Sequence, residues 1–193
     1  MLRRRQVLQA GLLIGVAINP AFAANAADED IKARLFAALK SAPTEKQARQ
    51  IEHEIWQYWL DLAPDSEIRA MVDQGMRHRS SYDFEAAEKV LGEAVEVAPS
   101  YAEARNQRAF VRFLREDNSG ALADLEDTLK LEPDHFGALS GMYHVLMRMG
   151  RTRAALSALS QAVEIHPWIQ ERHLLPPDPD AVRPAVKGKQ QDL

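Results

Sequence analysis

The most chemically suggestive stretch of the chain is His53-Glu54-Ile55-Trp56-Gln57, which begins as a zinc-protease HExxH segment does. That chemistry needs two imidazoles one helical turn apart to clasp the metal, with the glutamate as general base. Gln57 stands where the second histidine belongs, so the ligand pair is missing. His78, His135, His144, His166 and His173 form no i, i+4 pair either, and the expectation for them is a solvated or structural role. No GxSxG elbow, phosphate-binding glycine loop or dinucleotide fingerprint occurs. The absence of cysteine removes disulfides, thiolate ligands and thiol nucleophiles together, and also the residue at which a lipoprotein precursor is cleaved. The acids are many, but they are spread along helix-like stretches where solvent exposure is the ordinary state. The expectation is no catalytic residue, no cofactor and no metal, so function must come from a surface.

The elements that build such a surface follow from a period. Pro99, Pro133 and Pro167 lie 34 residues apart, each closing a helix-like stretch. Aligned on them, Ala87, Ala121 and Ala155 share one column, Leu91, Leu125 and Leu159 a second, and Ala94, Thr128 and Ala162 a third. Each unit reads as a helical hairpin whose apolar face is incomplete until a neighbour stacks on it. Small residues at the crossing let two helix axes approach, and leucines fill the space around them. A proline donates no intrahelical hydrogen bond and restricts the residue before it, so each second helix stops there. The spacing predicts helices near 67–80, 83–97, 102–115, 119–131, 136–149 and 152–165. Ser100-Tyr-Ala-Glu103 has capping-box spacing, and Asp134 is placed to cap the helix after Pro133. Thr44 and Gln47 can start an earlier helix in the same way, which carries Ile51, Ile55, Trp56, Trp59 and Leu60.

A 34-residue period with small residues at fixed offsets and a terminal proline resembles the tetratricopeptide repeat (TPR). The blocks Ile55-Trp-Gln-Tyr-Trp, Tyr101-Ala-Glu-Ala-Arg-Asn-Gln-Arg-Ala and His135-Phe-Gly-Ala-Leu-Ser-Gly-Met are similar to small exported proteobacterial members of that family. The resemblance implies an all-α right-handed superhelix of stacked antiparallel hairpins. Its repeats fall at 68–101, 102–135 and 136–169, behind an N-terminal hairpin over 28–64 that is either a degenerate repeat or a cap on the open end of the stack. The two tryptophans are expected in that hairpin's core. One departure is Tyr143, which replaces the small residue found as Gly75 and Ala109 at the eighth position, so close approach in the third unit is in question. Residues 170–193 read as a short cap followed by a proline-rich, disordered tail.

In the resembled fold the first helix of each hairpin lines a concave groove with its second, fifth, ninth and twelfth positions. That places Arg69, Val72, Met76 and Arg79, then Glu103, Asn106, Phe110 and Phe113, then Gly137, Ser140, His144 and Met147 on the inner wall, with Arg148 adjacent. Phe110 and Phe113 either floor the groove or pack between hairpins. Aromatic and methionine side chains edged by arginines suit a peptide or a partner helix of another protein. The carboxylate clamp of cochaperone relatives needs lysine and asparagine where this chain has Val72 and Met76, so that clamp is absent.

Residues 1–23 read as an export leader. Arg3, Arg4 and Arg5 precede a short apolar stretch, then Pro20 and an Ala21-Phe22-Ala23 cleavage site. The stretch is shorter than the roughly 20 residues that span a bilayer, so no stable membrane insertion is expected after cleavage. Arg4-Arg5-Gln6-Val7-Leu8 fits a twin-arginine signal as well as unfolded-chain secretion, and either route leads to the periplasm or beyond. Removing the three arginines leaves 21 Lys plus Arg against 28 acids, a formal charge of −7. An acidic surface argues against nucleic-acid binding, which depends on neutralising phosphates. The leading expectation is therefore a scaffold or assembly factor for an envelope complex. Two other classes stay open: an envelope hydrolase or metal-binding accessory protein, and a self-associating structural protein.

Overall fold

The computed structural model describes residues 20–177, with side chains from Asp28 onward. Apart from Pro20–Ala23, the expected leader lies outside these residues, as does the tail beyond Pro177. The described chain folds into eight α-helices and no strand: α1 (Pro20–Lys40), α2 (Glu45–Asp61), α3 (Ser66–Ser80), α4 (Phe84–Val97), α5 (Ala102–Leu114), α6 (Asn118–Leu131), α7 (Phe136–Arg148) and α8 (Thr152–Ile165). A short 3-10 helix, Gln170–Leu174, follows.

Local chemistry accounts for most helix starts. Thr44 accepts a hydrogen bond from the Gln47 N–H and opens α2. The Asp65 carboxylate accepts from the Glu67 and Ile68 N–H groups at 2.9 Å and opens α3. Asp83 and Asp117 do the same for α4 and α6. Two expected caps are replaced. Ser100 is exposed and α5 begins after Tyr101 without a side-chain cap, because Glu103 is committed to the interior. The cap of α7 is His135, whose Nδ1 accepts from the Ala138 N–H at 3.1 Å, while Asp134 reaches Lys32 instead.

The helices pair as α3–α4, α5–α6 and α7–α8, and each pair packs on the next. In the first pair a Cβ on Gly75 would collide with the Leu91 side chain, so only glycine permits that approach. The third pair closes around Tyr143, which is buried in one cluster with Ala155 and Leu159 of α8. The alanine and leucine columns, from Ala87 and Leu91 to Ala155 and Leu159, are almost wholly buried.

The N-terminal hairpin departs from the expected cap. It does not extend the stack beyond the first repeat. Leu39, Ile55 and Trp59 form one buried cluster with Phe136, Leu139, Ala162 and Ile169, which belong to the third repeat and the turn after it. Only its end, at Leu60, joins the cluster of the first repeat. The Trp168 indole N–H donates to the Ala42 carbonyl at 3.0 Å, tying the two ends of the chain together. The physical reason is area. The hairpin carries Phe36, Trp56 and Trp59, and the third repeat with its following turn offers Phe136, Ile169 and Trp168 to cover them.

Candidate binding groove

The inner wall is made by α3, α5 and α7, and α2 runs across their N-terminal ends. The repeat period explains the contacts. Tyr101, His135 and Ile169 occupy equivalent places 34 residues apart, just before or at the start of each successive element. The Tyr101 hydroxyl donates to the Leu60 carbonyl at 3.0 Å, and burial pushes its phenol pKa up, so it stays a donor. The His135 ring stacks flat on Trp59 with centroids 3.7 Å apart. Ile169 packs into the same tryptophan cluster.

The residues one before each proline continue this pattern. Glu132 pairs with Lys32, which also lies 3.5 Å from Asp134. Burial works against the Lys32 charge, but these two carboxylates outweigh it and hold its pKa above the ordinary lysine value. His166, fully buried, lies 3.4 Å from Glu52, within ion-pair reach but without hydrogen-bond alignment. Burial would raise the Glu52 carboxyl, yet His166 and Arg49 together bring it below its ordinary value. Two opposite-sense pairs thus fasten the hairpin at neighbouring turns.

Under α2 the wall is sealed. A Cβ on Gly137 would strike the Trp56 ring, so the glycine at this second-position column is the notch that admits the tryptophan. Glu103, in the same column of the second repeat, is 1% exposed. It accepts from Gln107, from Asn106 at 3.3 Å and from His135 Nε2 at 2.9 Å. With Nδ1 of His135 already accepting from Ala138, the proton belongs on Nε2, and the carboxylate is satisfied by three donors.

Towards the C-terminal ends of the same helices the wall is open. Phe110 is 47% exposed and Met147 40%, against 8% for Asn106 one turn below Phe110. A half-open cleft of about 650 Å³ lies between this wall, α2 and the 3-10 helix. Met76, Arg79, Asn106, Phe110, Phe113 and His144 all line it. Arg79 lies over the Phe110 ring at 4.6 Å and donates to Gln107, and burial lowers its pKa. Arg148 lies over Phe113 at 3.7 Å and donates to the Phe113 carbonyl at 2.7 Å. Phe110 therefore faces the groove, whereas Phe113 divides between groove and the core shared by the second and third repeats.

Of the expected groove residues, Arg69, held by Asp61 and by Asp73 at 3.1 Å, does not line the cleft, and neither do Met147 and Arg148 at the end of α7. Reasoning from the repeat alone did not find Arg49, His53, Trp56 or Glu171 on this cleft, since they come from outside the hairpins. Gly137 was the available signal: a glycine where the other repeats hold Arg69 and Glu103. His144 donates to Glu171 at 3.3 Å, and this bond, against the opposing effect of burial, lowers the Glu171 pKa to about 2. No group of three or more His, Asp or Glu side chains able to hold a metal occurs among the described residues.

An array of stacked helical hairpins with a concave inner wall defines a solenoid of the helical-repeat class. No protein-family model matches the chain. A TPR repeat-containing protein of Rhizobium etli is 32% identical over 136 residues, which is 69% of this chain and 65% of the relative. The chain thus spans just under two thirds of that relative's length. Among solved structures, the first TPR of Spaghetti, bound to an HSP90 peptide, matches with a TM-score of 0.55 at 15% identity, over 58% of this chain and 90% of that one. The TPR2AB domain of yeast Sti1 in its HSP90 complex gives 0.53 at 19% identity, over 69% and 54%. MamA gives 0.50 at 16% identity, over 79% and 97%. The fold of this chain is the tetratricopeptide-repeat solenoid, and its sequence is similar to a TPR repeat-containing protein.

Proposed function

We propose that the protein is an exported interaction module that holds a segment of another polypeptide in the open half of its groove, serving as a scaffold or assembly factor in the cell envelope. The observation that carries this reading is the half-open cleft with Phe110 at its surface, on a wall whose other half is covered by α2. A half-exposed aromatic beside a cavity of this size is a binding feature rather than a folding one. The covered half supports it from within, because α2 seats an aromatic-bearing helix on the same wall through Trp56 and Trp59. The Spaghetti and Sti1 domains, solved with HSP90 ligands, lend the fold-level analogy. The leader-like residues 1–23 support export, and no helix among the described residues is long and apolar enough to cross a membrane.

The test is a pull-down from periplasmic extract with the wild-type chain and a Phe110→Ala/Phe113→Ala variant, each checked by circular dichroism. Partners retained by the wild type and lost by a fully helical variant support the groove. Equal retention by both sinks it. Export is tested separately by fractionation: Arg4→Lys/Arg5→Lys blocks it only on the twin-arginine route.

A further inference from the structure

The arginines among the described residues divide into two kinds. Arg49, Arg69, Arg105, Arg108, Arg112 and Arg115 each hold a carboxylate within 4 Å. Arg77, Arg79, Arg148, Arg151 and Arg153 hold none among the described residues, and of these five Arg79 lines the cleft and Arg148 sits on Phe113 at its edge. Among the described residues Arg79 has only the Gln107 side-chain oxygen as an acceptor, and Arg148 only the Phe113 carbonyl. A guanidinium carries five N–H donors, so most of the capacity of both is unspent.

Their placement is ordered. Arg79 on α3 covers Phe110, and Arg148 on α7 covers Phe113, so the wall reads arginine, phenylalanine, phenylalanine, arginine across three helices. A guanidinium held over a ring face keeps N–H donors for further acceptors, and its fork of donors suits a carboxylate. The acids nearby are already engaged. Glu103 is buried under three donors, Glu171 is taken by His144, and Asp73 by Arg69.

We infer that the open half of the groove recognises an acidic polypeptide segment in which an apolar or aromatic side chain is flanked by two carboxylates. The apolar side chain rests on Phe110 and Phe113, and the carboxylates meet Arg79 and Arg148. This rests on the reading that the groove takes a polypeptide, and it adds the chemistry of that polypeptide. The contact is distinct from the cochaperone clamp, whose places are Val72, buried here, and Met76.

The probe is a phage-displayed library of random peptides, selected on the immobilised full chain and counter-selected on its Phe110→Ala/Phe113→Ala variant. The expected outcome is a consensus of acid, apolar residue, acid. Binding of the selected peptide should weaken with added salt. It should also weaken at least about tenfold in Arg79→Gln and in Arg148→Gln, with circular dichroism unchanged. A groove-dependent consensus that is neutral or basic overturns the inference and leaves the peptide reading standing. So do acidic peptides whose affinity ignores both arginine substitutions. Because Arg148 also contacts the end of α5, Arg79→Gln alone decides the matter if Arg148→Gln loses helicity. No groove-dependent enrichment at all overturns both readings.

Discussion

The two halves of one inner wall are built from the same repeat columns and end in opposite states. At the N-terminal ends of α5 and α7 the wall is covered by α2, its carboxylate is saturated with donors, and its glycine is used as a socket. At the C-terminal ends the same helices present Phe110 and Met147 to solvent beside two arginines that hold no carboxylate among the described residues. Covered polar groups must find partners inside the protein, since an unpaired buried donor or acceptor costs about 1–3 kcal/mol. Exposed ones carry no such constraint and are free to serve a guest. Glu103 is saturated in the covered half, although Trp59 Nε1 and the His166 ring nitrogens there find no hydrogen-bond partner, and the arginines of the open half keep spare donors.

The largest test removes the cover. Trp59→Ala deletes a side chain 1% exposed that stacks on His135 and contacts Phe136, and it should cost about 3–5 kcal/mol by urea unfolding. A loss below about 1 kcal/mol would mean that the hairpin is not docked as described. Next in size, Gly137→Val fills the socket of Trp56 and should cost about 1–3 kcal/mol, with a change in tryptophan emission as the ring is displaced. Glu103→Ala leaves Gln107, Asn106 and His135 without their shared acceptor, also for about 1–3 kcal/mol. Glu103→Gln, which keeps an oxygen, should recover part of that loss.

In the open half the same measurement should barely move. Phe110→Ala is expected to change stability by no more than about 1 kcal/mol while partner capture falls away. A core-sized loss there would erase the distinction between the halves. The smallest effect is a pH dependence. The Glu171 pKa, lowered to about 2 from its ordinary 4.5, adds stability that is complete above about pH 4.5 and drains as the pH falls towards 2. Glu171→Gln should flatten the melting temperature over that interval and leave it alone near neutrality, as thermal melts across the range would show.

Much of this architecture could be read in advance because it is local. The helices end where Pro99, Pro133 and Pro167 demand it, and the 34-residue columns place Ala87 and Leu91 in the core as surely as their later equivalents. Reading failed where a distant group competed. Glu103 has the spacing of a helix cap, yet His135 and two amides claim it from the interior, and Asp134 is drawn to Lys32 from across the fold. The alignment could name Phe110 and Arg79 as inner-wall residues, but not Trp56 or Arg49, which reach the cleft from a helix outside the three repeats.

Residue order by itself determined the helical period, the pairing of neighbouring hairpins and the concave row of side chains, since each depends on contacts one or two turns, or one repeat, away. Only the tertiary structure decided which half of that row stays open. The choice depended on where a tryptophan-rich hairpin found apolar area to cover, and that lay on Phe136 and Ile169, far along the chain from the hairpin itself.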